Sequence, residues 1–215
     1  MLVNHSHRLA FVHIPKTAGT SIRNWMKTHL GDCEEWGETH DSIAFHENSL
    51  PVNYNVFTLV RNPYTRLTSH LLFHIQGGNP AKKMWLNLRQ LSNQSPSRCM
   101  LAYLDMGDVN AGSDNYARRY WFDYRRTPQA VWIASRTHKV KWFRQEEIEQ
   151  PYGVMAWLRD TTGVRESLQK ENVTKYKPAI AHWSDKVWTN EVLAKVNPIF
   201  EQDIKAFKYT LRHIK

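Results

Sequence analysis

The sequence is poor in cysteine: 215 residues hold only two, Cys33 and Cys99. That is too few for a disulfide framework, and they lie too far apart for a CxxC site. Both read as reduced thiols, with a single disulfide left as the alternative. Long apolar runs are missing too. The short run after Met1–Arg8 is insufficient for a membrane span or a signal-peptide core. A cytoplasmic or otherwise soluble protein without an integral membrane segment is therefore expected; a catalytic domain trimmed from a longer anchored protein is the second reading. On the first reading, the glycosylation-like triplets at Asn4, Asn93 and Asn172 are coincidental. Zinc-finger spacing, an Arg/Lys tail and a repeated aromatic–basic motif are all absent, which argues against a nucleic-acid partner. With no internal repeat or linker, residues 1–215 read as a single domain.

What is present fits a globular enzyme. Apolar types make up 41% and charged types 23%, enough apolar material for a packed core. The formal charge of +9 favours anionic partners without choosing among them. Leu9–Ile14 reads as a short buried strand, followed by a loop and a helix over Ser21–Leu30 with Ile22, Trp25 and Met26 on one side. Tyr54–Val60 reads as a second strand. Asn62-Pro63 then signals a helix that Gly77–Pro80 stops. Ala130–Ser135 is a third strand candidate, and most of the later sequence reads as helix. Strand–loop–helix units of this kind predict an α/β protein with a parallel sheet.

Two segments carry chemistry. His13-Ile14-Pro15-Lys16-Thr17-Ala18-Gly19-Thr20-Ser21 lies where a strand gives way to a helix, a place where backbone N–H groups can cradle a phosphate. Lys16 adds a point charge, Thr17, Thr20 and Ser21 add hydroxyls, and Gly19 permits close approach and unusual torsions. The order is not that of a Walker loop, because the lysine precedes the glycine. In the second segment, Val60-Arg61-Asn62-Pro63-Tyr64-Thr65-Arg66-Leu67-Thr68-Ser69, Arg61 falls at a strand end where α/β sheets bind ligands. Its planar fork suits a phosphate. Ser69 lies about two turns along the next helix, and Arg66 reads better as a structural ion-pair residue.

Taken together, these motifs resemble those of sulfotransferases that use 3′-phosphoadenosine-5′-phosphosulfate (PAPS), especially the carbohydrate branch. The resemblance is firmest over residues 9–75. It implies a P-loop-like three-layer fold with a central, mainly parallel sheet flanked by helices. It further implies that Lys16, Thr17, Ala18, Gly19, Thr20 and Ser21 hold the 5′-phosphosulfate, and Arg61 and Ser69 the 3′-phosphate. PAPS would be the donor substrate, with no metal required. Lys175 and Lys177 resemble a late loop that covers the nucleotide. Residues 76–127 would form a variable acceptor-binding region, with Trp121, Tyr124 and Arg125 as candidate contacts to a glycan or small metabolite.

The acceptor hydroxyl needs a base, and histidine suits that role near neutral pH. His40, in His40-Asp41-Ser42, is preferred. His46 follows, with Glu47 as its orienting carboxylate, and Glu35, Glu38 or Glu47 itself are further candidates. Lys16 would stabilise charge on the leaving oxygen. Two rival functions stay open at this level: a divergent P-loop kinase, and a noncatalytic polyanion-binding module.

Overall fold

The computed structural model describes residues 1–75, 95–105, 126–169 and 183–213. The chain divides into two compact units: Met1–Asn62 with Gln129–Val173, and Pro63–Pro128 with Thr174–Lys215.

The first unit is built on a five-stranded sheet of β1 (Leu2–Asn4), β2 (Leu9–Val12), β3 (Cys33–Glu35), β4 (Asn55–Val60) and β5 (Lys141–Arg144), in the order β3-β1-β2-β4-β5. Pairing of β2 with β4 and of β4 with β5 is parallel, whereas β1 runs antiparallel to both β2 and β3. The sheet is thus mixed, which corrects the expectation of a mainly parallel one. The cause is local. A tight turn with Arg8 at φ 51° returns β1 directly into β2, and antiparallel neighbours need no more connection than that.

Strands β2 and β4 appear where the apolar runs place them. The third candidate does not: Gln129–Ile133 is a 3-10 turn, and the last strand among the described residues is β5. Trp132 in that turn is fully buried, and its indole donates to His40 O at 3.0 Å. A short apolar run fits a buried turn as well as a buried strand.

Alternation on the strands builds one core. Leu9 and Phe11 of β2, Phe57 and Leu59 of β4 and Phe143 of β5 share a cluster with Ile22, Trp25 and Met26 of α1 (Gly19–His29). Val154, Met155 and Leu158 of a later helix, Val154–Thr162, complete it. Each such side chain contributes about 1.5–3 kcal/mol through burial. Lys27 and His29 in the last turn of α1 complement the helix dipole before Gly31 turns the chain at φ 58°.

The second unit is helical among the described residues. In chain order its helices are α2 (Pro63–Ile75) and α3 (Pro96–Asp105), then, after α4 (Val154–Thr162) of the first unit, α5 (Trp183–Lys186) and α6 (Asn190–Phe207). Tyr64, Leu67 and Leu71 of α2, Met100 and Tyr103 of α3 and Val192, Val196 and Phe200 of α6 form its core. Their spacing of three and four residues places them on one side of each helix. Cys99 is buried here and Cys33 is half-buried in the first unit; neither forms a disulfide. Burial pushes the Cys99 thiol up to about 11.

Candidate active site

The end of β2 leads into α1 through a bent loop. Its unusual torsions fall at Lys16 (φ 68°) and Ala18 (φ 66°) rather than at Gly19. Gly19 has a different task. A Cβ there would lie 2.0 Å from Cδ2 of His13, so only glycine lets this ring pack against the start of α1. Thr17 is fully buried and its hydroxyl donates to Ile14 O at 2.8 Å. That proton is committed to holding the loop, leaving Thr17 only lone pairs for other partners. Ala18 caps α1 in the left-handed conformation and has no side chain to bond the first turn. Thr20 is half-buried and Ser21 is buried within that turn.

Lys16 is desolvated. Burial, and then the nearby Arg61 guanidinium, lower its ammonium from 10.5 to about 8. Arg61 stands one residue past β4, and its Nη1 donates to Lys16 O at 3.2 Å. The structure therefore brings together the two cations that the sequence places in separate motifs. Two cations held so close are mutually unfavourable, and an anion over both relieves that cost.

The Arg61 backbone is held from a distance in sequence. Its N–H donates to Gln129 Oε1 at 2.9 Å, and Gln129 Nε2 donates to Arg61 O at 2.7 Å. The next N–H, of Asn62, donates to Glu146 Oε1 at 2.9 Å. Gln129 and Glu146 escaped the sequence reading, since no spacing links either to residue 61.

His40 reaches the same loop. Its Nδ1 donates to His13 O at 2.9 Å, and the two rings meet edge-on with centroids 4.5 Å apart. A carbonyl only accepts, so Nδ1 carries the proton in neutral His40 and the lone pair lies on Nε2. His13 itself is held well below the ordinary histidine range, first by burial, then by His40, Arg23 and the chain's amino group.

His46 is placed otherwise. Its Nε2 donates to Asp41 Oδ2 at 3.1 Å, and the same oxygen accepts from Glu38 N at 2.9 Å. Gly37, at φ 60°, leaves room for this pair, because a Cβ there would lie 2.3 Å from Asp41 Oδ2. The carboxylate that orients His46 is thus Asp41. Glu47 instead accepts from Ser135 Oγ at 2.8 Å and Arg136 N at 2.9 Å. Glu35 is paired with Arg23 at 2.8 Å and also with Lys27.

Ser69 is buried on α2 and belongs to the second unit, as does Arg66, whose Nη1 donates to Thr127 O at 3.3 Å. The candidates Trp121, Tyr124, Arg125, Lys175 and Lys177 lie outside the described residues.

The family model described as "Sulfotransferase family" matches residues 1–210. The chain belongs to the sulfotransferase family. No curated protein and no solved structure is similar enough to the chain to match it. Sulfotransferase membership implies PAPS as the sulfuryl donor. The cationic pair follows two parallel strands and suits an anion, and a desolvated lysine strengthens any charge interaction made there. Among the described residues of this sulfotransferase, no helix is long and apolar enough to cross a membrane.

Proposed function

We propose that this sulfotransferase moves the sulfuryl group of PAPS to an acceptor hydroxyl by direct in-line displacement, with His40 as the base. One observation carries the reading. Lys16, Arg61 and His40 all converge on the loop that ends β2: Arg61 through Lys16 O, and His40 through His13 O.

His40 Nε2 takes the hydroxyl proton as the acceptor oxygen bonds to sulfur. The bond from sulfur to the bridging oxygen breaks on the opposite side. Lys16 stabilises the charge that develops on that oxygen, and 3′-phosphoadenosine-5′-phosphate departs. Thr17, Ala18, Gly19, Thr20 and Ser21 hold the 5′ side. Arg61 binds the 3′-phosphate, and Ser69, Lys175 and Lys177 are further nucleotide ligands of this reading. His46 braces the segment that carries His40 through its bond to Asp41. The acceptor is a glycan or small-metabolite hydroxyl. Trp121, Tyr124 and Arg125, in an acceptor-binding region over residues 76–127, are its contacts within a single catalytic domain.

Calorimetric titration with 3′-phosphoadenosine-5′-phosphate, without metal, tests the donor site. Tight binding by the wild type that collapses in Arg61→Ala is expected. No binding by well-folded wild type would overturn the donor assignment and favour a polyanion-binding module.

A further inference from the structure

The register of the sheet stops short of Arg61. Pairing of β2 with β4 ends at Val12 opposite Thr58, and pairing of β4 with β5 ends at Val60 opposite Arg144. Beyond that point the backbone still has one donor and one acceptor to satisfy. Gln129 supplies both. Its side-chain amide has the donor and acceptor of a peptide group, so it extends the ladder by one residue where no strand remains. The orientation is unambiguous: Arg61 N–H can only donate and Arg61 O can only accept. Gln129 is fully buried, so water does not compete for either bond. Ionised glutamate cannot donate, and asparagine is one methylene shorter.

We propose that Gln129 is a positioning residue that sets the 3′-phosphate selectivity of the site by fixing the backbone of Arg61. This rests on the reading of Arg61 as the 3′-phosphate ligand. Arginine is a long, flexible side chain, and its fork selects a phosphate only when its root is fixed. The reciprocal amide bonds fix the root, and Glu146 fixes the next residue. Gln129 acts through Arg61 and not on the nucleotide.

The test compares calorimetric affinities for 3′-phosphoadenosine-5′-phosphate and adenosine 5′-phosphate in wild type, Gln129→Ala and Gln129→Met. Urea unfolding of each variant gives the folded fraction. The preference for the 3′-phosphorylated nucleotide should fall about tenfold in both variants, as expected for the loss of one or two buried hydrogen bonds. Affinity for adenosine 5′-phosphate should stay within about twofold. Should Gln129→Ala unfold, Gln129→Met keeps most of the side chain's length and volume, can form neither bond, and carries the test. An unchanged preference in a folded variant, or a proportional fall in both affinities, overturns the positioning role alone. A wild type without any preference overturns the reading of Arg61, and this inference with it.

Discussion

Two parallel neighbours, β2 and β4, end in cationic residues that are held in opposite ways. The backbone path at the end of β2 is shaped largely by its own residues, with His40 and Arg61 bonded to it from outside. Lys16 and Ala18 take left-handed torsions, Thr17 bonds back to Ile14 O, and the His13 ring packs on Gly19. The end of β4 is supported from afar, by Gln129 and Glu146, 68 and 84 residues further along the chain. A locally held end depends on the identity of consecutive residues. A remotely held end depends on a distant segment folding correctly. Changes at the first should act directly on chemistry, and changes at the second on binding geometry.

The sharpest break in this comparison is Lys16→Met. It keeps the length of the side chain and removes the charge proposed to meet the leaving oxygen. Turnover should fall by about 10²–10³-fold, the usual loss when one electrostatic stabiliser of a transition state is removed. Hydrolysis of PAPS to 3′-phosphoadenosine-5′-phosphate follows this without a known acceptor. Unchanged hydrolysis in a folded variant would remove Lys16 from the chemistry.

Gly19→Ala breaks the same end through packing. The new methyl would meet the His13 ring at 2.0 Å, so the ring or the start of α1 must move. A cost of about 1–3 kcal/mol in urea unfolding is expected, as for other overpacked sites. His13→Ala in the same chain should recover part of it, because the clashing ring is gone. Simple additivity of the two changes would show that the contact is not the cause.

The contrast between the strand ends also explains what could be read from the sequence. The first motif was legible because its support lies within it: strand, bent loop and helix follow one another from Leu9 to His29. Its details were not. Gly19 is expected to allow close approach and unusual torsions; it allows the first, whereas the unusual torsions fall at Lys16 and Ala18. Arg61 was legible as a residue at a strand end, yet Gln129 was not, because only the fold brings it to residue 61. The run at 130–135 reads as a strand for the same reason: the contacts that make it a turn, Gln129 with Arg61 and Trp132 with His40, exist only in the fold. Strand β1 has only three residues and β3 reads Cys-Glu-Glu, so neither has the apolar pattern that marks a buried strand. These two are what make the sheet mixed. His40 was preferred over His46 on pattern. The geometry adds a reason, since His40 is bonded to the β2 end and His46 to Asp41.

The smallest effect probes the link between the two ends. Lys16 titrates near 8 in the free protein, held there by burial first and by Arg61 second. A bound phosphate favours the ammonium form, so binding above pH 8 must take up a proton. Nucleotide affinity should therefore fall as pH rises past 8, by at most about tenfold per pH unit. The phosphates do not add to this slope, because their second ionisation, near 6, is already complete. Stability of the free protein moves the other way. Between about 8 and 10.5 the unfolded chain holds the Lys16 proton more tightly than the folded one, so this residue makes stability rise with pH. Lys16→Arg separates the two effects, since a guanidinium does not titrate in this range. Calorimetry from pH 7 to 10 should show a falling affinity in the wild type and a flatter profile in the variant. The same slope in both would place the titrating group elsewhere than Lys16.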